Sequence, residues 1–237
     1  MPSLPSLHSF MRHQHSSAGA TSAGTKGLIL NMGRRHDLMV WYMDTFLFRG
    51  QLRELRQRAI TLAGIQPGER ALDVGCGTGT LAMEVARRLG SAGRVVGIDP
   101  GAPQIDVART KAARRNLPIE FQIGVIEQLA FPDQTFDVVF STLMMHHLPK
   151  SLKEQGLAEI ARVLKPGGRL VIADFWRTQE RQGRAARFHA GGSDMRDLAT
   201  LVQDAGFDQV ETEDMEEMSP ARFSTFPGAA FVVAHKS

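Results

Sequence analysis

The sequence predicts an α/β protein built on a doubly wound sheet of seven strands, mostly parallel with an antiparallel last strand, plus an N-terminal helical lid. Three observations carry this expectation. From Arg70 onward, short apolar runs of strand length alternate with segments of helical periodicity, and such alternation forces parallel crossovers. A glycine-rich turn separates the first of these strands from the first of these helices. The last two apolar runs, Asp208–Glu213 and Ala229–Ala234, leave no room for a helix between them, so the final strand should run against its neighbours.

The elements follow in order. Residues 1–27 are rich in Ser, Gly, Ala, Pro and His with little apolar periodicity. Such a segment buries too little surface to offset its ordering entropy, so a disordered polar tail is expected. His8, His13 and His15 have no fixed acid or Cys beside them, so they belong to that tail and no metal is expected. Residues 28–64 turn helical and form the expected lid. Their first part concentrates Trp41, Tyr42, Phe46 and Phe48, and their second is amphipathic, with Leu52, Leu55, Ile60 and Leu62 as the buried stripe. Residues 65–237 make the main domain. In it, strands are expected at Ala71–Gly75, Val95–Asp99, Ile119–Gly124, Phe136–Ser141 and Arg169–Asp174. Helices are expected at Leu81–Leu89, Gln104–Arg115, Leu152–Leu164 and Met195–Ala205, the third stopped by Lys165-Pro166-Gly167-Gly168.

Composition narrows the class. Of 237 residues 43% are hydrophobic and 22% charged, near globular averages. The one cysteine, Cys76, cannot pair within the chain, which points to a reducing, cytoplasmic setting. No apolar run approaches the length that spans a bilayer. The net charge is +3, but residues 1–36 hold Arg12, Lys26, Arg34 and Arg35 and no acid, so the remainder stands at −1. A near-neutral body argues against a nucleic-acid partner, which wants a basic patch on the folded surface. Monomer and homodimer are equally compatible with this surface.

The sharpest motif is Leu72-Asp73-Val74-Gly75-Cys76-Gly77-Thr78-Gly79 at the junction of the first strand and helix. Glycines there let a ligand approach the backbone closely, and the helix N-terminus offers unpaired N–H groups. The dinucleotide fingerprint G-x-G-x-x-G would need glycine at position 80, which is Thr80. An acid two residues before the first glycine also suits a ligand with a cationic amine better than a pyrophosphate. Asp99, at the tip of the second strand, is placed to accept both hydroxyls of a ribose.

These motifs, with Leu129-Ala-Phe-Pro-Asp133 through Asp137-Val-Val and Arg162-Val-Leu-Lys-Pro166-Gly-Gly168, resemble the class I S-adenosylmethionine-dependent methyltransferases. Within them, the chain is similar to the small-molecule branch containing the ubiquinone/menaquinone-biosynthesis and type 11 enzymes. The resemblance implies a Rossmann-like fold and S-adenosyl-L-methionine as cofactor. It implies that Gly75, Gly77 and Gly79 pass under the methionine part, that Asp73 helps hold its amine and that Asp99 takes the ribose, with Cys76 and Pro100 as further contacts. Where the family places an acid for the adenine, this chain has Val125, which leaves that contact to Ile126 and Glu127. Ser141, at the tip of the fourth strand, should line the same pocket.

His146 and His147 follow the fourth strand and are the candidate catalytic residues, because an imidazole titrates near neutrality. Adjacent residues point in different directions, so the two should not share one role. Asp174 is a further candidate wall of the acceptor site. Arg177, Arg181, Arg184 and Arg187 read as a solvated charge run. His36 and Asp37 stand where relatives often carry a Tyr-Asp pair, and no base role is assigned to His36. A lid rich in Met and Phe favours a small hydrophobic acceptor, with the attacked atom (O, N, S or C) left open. Two rival readings fit the same motifs: a non-catalytic protein that binds an adenosyl cofactor, and a nucleic-acid or protein methyltransferase. The second lacks the Asn/Asp-Pro-Pro-aromatic motif after the fourth strand, where Ser141-Thr142-Leu143-Met144 stands instead.

Overall fold

The computed structural model describes residues 25, 27, 33–42, 44–45, 50–176, 195–215 and 228–237. Most of the expected tail, Phe46, Phe48 and the four arginines at 177–187 lie outside them. Two helices open the described chain, α1 (Arg34–Tyr42) and α2 (Gln51–Ala63). The alternating body follows as β1 (Arg70–Val74), α3 (Thr80–Leu89), β2 (Arg94–Asp99), α4 (Ala102–Ala113), β3 (Ile119–Ile123) and β4 (Phe136–Thr142). A short 3-10 turn, Met145–His147, leads to α5 (Lys150–Val163) and β5 (Leu164–Trp176), then α6 (Met195–Asp204), β6 (Asp208–Met215) and β7 (Gly228–His235).

The sheet runs β3-β2-β1-β4-β5-β7-β6. Its first five strands are parallel neighbours, and β7 alone is reversed, antiparallel to both β5 and β6. This is the architecture the alternation dictates. The chain winds outward from β1 in one direction, then returns to β4 on its other side, which makes the β1–β4 boundary the switch point where doubly wound sheets bind ligands.

Both faces of the sheet are covered, so the inner strands are mostly apolar on both sides and not alternately polar. Successive residues still part by face. Val138, Phe140, Val171, Ala173 and Phe231 join the core under α2, α3 and α4. Val139, Leu170, Ile172, Val232 and Ala234 join the core under α5 and α6. Gly64 ends α2 at φ 55 with its N–H on the Thr61 carbonyl, and Pro103 opens α4 within its first turn.

Three local expectations are corrected. The buried stripe of α2 is Leu52, Leu55, Ala59, Ile60 and Ala63; Leu62 is only half-buried, because the helical period carries the inner face to the small Ala63. β5 begins at Leu164 and not at Arg169, since Leu164 already pairs with Phe136 before the ladder shifts register ahead of Val138. The aromatic residues of α1 face outward, with Trp41 57% and Tyr42 55% exposed, while Val40 packs on the core.

Candidate functional site

A cavity of about 220 Å³ opens at the C-terminal edge of β1, β2 and β4. Its floor is the glycine-rich turn. Gly75, Gly77 and Gly79 all have positive φ, and two of them also lack room for a side chain. A Cβ on Gly75 would lie 2.4 Å from Met144 Cγ, and one on Gly79 would lie 2.6 Å from the Phe121 ring. The turn is therefore glycine for conformation and for space at once.

Asp73 lies beneath this turn and is 2% exposed. Neither carboxylate oxygen has a hydrogen-bond partner among the described residues. Burial pushes its pKa up to about 7; the charge of Asp99 adds to the rise, and the Ala82 N–H, too poorly placed for a hydrogen bond, opposes it. Such a group wants a cation.

Asp99 closes β2 beside the turn. One of its oxygens accepts the Gly77 N–H at 3.0 Å and the other the Gly101 N–H at 2.8 Å. These bonds fix the carboxylate plane and leave a lone pair on each oxygen. Burial raises its pKa, and the two N–H groups pull it back. Burial also pushes the Cys76 thiol well up, with both acids adding to it.

The sequence-predicted residues divide by position. Gly75, Cys76, Gly77, Asp99 and Pro100 line the cavity, as do Val125, Ile126, Glu127 and His147, whereas Asp73 and Gly79 lie behind its floor and His146 lies off its wall. Ser141, expected to line the cavity, does not: it is fully buried with its Oγ unpartnered, and Thr142, Leu143 and Met144 make the wall at that strand end. His146 is held against Asp174, at 2.5 Å from Nδ1 to Oδ1.

Two features escaped the sequence reading. Arg56 of α2 lines the cavity with its side chain 13% exposed. Its buried Nε has no hydrogen-bond partner but stands 3.9 Å from Glu84 Oε1, and Nη2 stands 3.9 Å from Asp44 Oδ2. Burial lowers its pKa against the pull of those acids. The signal was available, since Arg56 follows Leu52 by four residues and so shares the buried face. The second feature ties α1 to the turn: Thr78 Oγ1 donates to Asp37, and Lys111 Nζ reaches Asp37 at 2.9 Å and Thr78 at 3.2 Å. Asp37 and Val40 are the residues α1 turns to the cavity.

The fold and site therefore combine a switch-point cavity, a glycine floor, a second-strand acid at its rim and an orphaned carboxylate beneath the turn. Residues 71–168 match the family described as a methyltransferase domain. The chain is 30% identical over 221 residues to the ubiquinone/menaquinone biosynthesis C-methyltransferase of Hydrogenovibrio crunogenus, covering 81% of this chain and 85% of that one. It is 36% identical over 138 residues to the 2-phytyl-1,4-naphtoquinone methyltransferase of Synechocystis, where it spans 56% of each. In fold it is similar to an S-adenosylmethionine-dependent methyltransferase from Aquifex aeolicus, with a TM-score of 0.60 and 22% identity over 83% of this chain and 93% of that one. The chain belongs to the S-adenosylmethionine-dependent small-molecule methyltransferases. Among the described residues, no helix is long and apolar enough to cross a membrane.

Proposed function

We propose that this methyltransferase holds S-adenosylmethionine along the β2–β1–β4 edge and methylates a small hydrophobic acceptor at the β4 end, in a reducing, cytoplasmic setting. The observation that carries the reading is Asp73, a buried carboxylate with no partner of its own. The cofactor's ammonium supplies the missing cation and Arg56 the counter-charge for its carboxylate. Asp99 has one free lone pair per oxygen for two ribose hydroxyls. Ile126 and Glu127 border the adenine position, and Val125 there accounts for a contact made by backbone and packing. When bound, the cofactor supplies a methyl group already activated by its sulfonium.

The chain's own task is then to bind, orient and exclude water, which holds the acceptor at attack distance. Met144, Leu143 and Leu148 give the β4 end an apolar wall, and this wall supports a hydrophobic acceptor in place of the outward-facing aromatics of α1.

Calorimetric titration tests the reading. S-adenosylmethionine and S-adenosylhomocysteine should bind the wild type and NAD should not. The Asp99→Ala variant should bind at least about ten-fold more weakly, the loss of two charge-assisted hydrogen bonds. Binding indifferent to Asp99, or preference for NAD, overturns the assignment.

A further inference from the structure

The large apolar side chains that the fold leaves uncovered are gathered in one place. Of the five exposed among the described residues, four stand on α1: Leu38 at 65%, Met39 at 38%, Trp41 at 57% and Tyr42 at 55%. Arg35, also exposed, precedes Leu38 by three residues and Met39 by four, and Leu38 precedes Trp41 and Tyr42 by the same intervals. Those spacings put all five on one side of the helix. The one acid of α1, Asp37, is turned the other way and pairs with Lys111 at 2.9 Å. Val40 joins it there, and both line the cavity. The helix is thus two-sided: its inner side walls the cofactor cavity, and its outer side is aromatic, aliphatic and basic without an acid.

Three properties of that outer side select its partner. Trp and Tyr join an apolar ring to a polar N–H or O–H, which suits the boundary between hydrocarbon and water. The charge around them has one sign, since residues 1–36 hold Arg12, Lys26, Arg34 and Arg35 and no acid, +4 in all. The helix is also short. Its nine residues span about 13 Å, and one side of them falls well below the roughly 800 Å² that each partner of a stable dimer buries. A twofold contact here would also set two +4 segments against each other.

We propose that the outer side of α1 is a docking surface for an anionic lipid bilayer, on which the enzyme rests with its cavity rim at headgroup level. Trp41 and Tyr42 sit among the headgroups, Leu38 and Met39 reach the upper acyl chains, and Arg35 meets lipid phosphates. Asp37 and Val40 belong to the same nine residues, so a single helix separates bilayer from cavity, and a hydrophobic acceptor dissolved in lipid is delivered to the rim. Delivery rests on the methyltransferase reading above; docking does not.

Vesicle co-sedimentation of the full chain tests this. The protein should partition at least about ten-fold more strongly onto phosphatidylcholine vesicles containing about one-third phosphatidylglycerol than onto phosphatidylcholine alone, and should release as salt rises. Leu38→Glu, and separately Trp41→Ser combined with Tyr42→Ser, should each lower that partition about ten-fold or more. Arg35→Glu should lower it about ten-fold. In a Trp176→Phe background Trp41 is the one indole, and its emission should shift to the blue on anionic vesicles and be quenched by brominated acyl chains. S-adenosylhomocysteine calorimetry on each variant reports folding; where a variant fails to bind it, the Trp41 emission decides. Equal binding to neutral and anionic vesicles, binding to neither, binding unchanged in both apolar variants, or Trp41 emission unmoved by vesicles each overturns the proposal. So does a wild-type dimer that dissociates in Leu38→Glu, because a second copy then covers the face. A wild type that binds vesicles but not S-adenosylhomocysteine overturns the cofactor reading and leaves the docking surface standing.

Discussion

Asp73 makes the binding reaction depend on pH, and the sign follows from its surroundings. In the free protein burial holds its pKa at about 7. A bound ammonium favours the ionised form, so binding releases a proton wherever the free carboxyl is protonated. Affinity for S-adenosylhomocysteine is therefore full just above pH 7 and falls as the pH drops below it, approaching about ten-fold per unit. Calorimetry from pH 7.5 to 5.5 should show this slope in the wild type. Asp73→Asn should bind more weakly at pH 7.5 and lose the slope, and a wild type flat across the range would refute the assignment of Asp73 to the amine. The same group bears on folding. Its pKa is higher folded than unfolded, so the unliganded protein loses stability as pH rises from about 4 to 7, and Asp73→Asn should melt several degrees higher at pH 8. The motif residues Asp73, Gly75, Gly77, Gly79 and Asp99 were legible in sequence because a local turn and two strand tips bring them together. For Arg56 the spacing from Leu52 marked the buried face, but its place on the cavity depends on which way α2 lies across the sheet.

At the scale of elements, α1 meets the cavity rim through a polar cluster. Leu38, Met39, Trp41 and Tyr42 face outward, and what grips the cavity rim is the Asp37, Thr78 and Lys111 cluster with Val40 beneath. Side chains of this cluster are partly exposed, so each bond contributes modestly, on the order of 1 kcal/mol. Asp37→Ala should raise hydrogen exchange across 34–42 and weaken S-adenosylhomocysteine about three- to ten-fold. Exchange across β1 and β4 should stay as in the wild type. Unchanged exchange at 34–42 would mean that α1 is held by other contacts. The sequence reading expected a lid here from its aromatic content. Aromatic content reports what an element can bury; the i, i+3 placement of Asp37 and Val40 decides which face it does bury.

Over the whole molecule, strand order was legible where helices punctuate the chain, because each crossover has only one favoured hand. The reversal of β7 was legible for the complementary reason, the lack of a helix after β6. What the sequence left open was that β7, and not β6, lies inside the sheet between β5 and the edge. That placement gives β7 a stabilising role out of proportion to its length, since consecutive residues feed both cores: Phe231 enters one and Val232 the other. Phe231 is fully buried, and truncating such a ring costs about 3–5 kcal/mol. At roughly 2–4 °C per kcal/mol for a domain of this size, Phe231→Ala should lower the melting midpoint by about 10 °C. The two cores share one sheet, so the loss should appear as a single shifted transition by both calorimetry and circular dichroism. Saturating S-adenosylhomocysteine at about 100 times its dissociation constant adds roughly 2.7 kcal/mol to the folded state, and should recover more than half of the loss. Two separate transitions in Phe231→Ala would show that the β5–β7–β6 edge unfolds apart from the cofactor-binding half, and recovery by ligand would then be confined to the second of them.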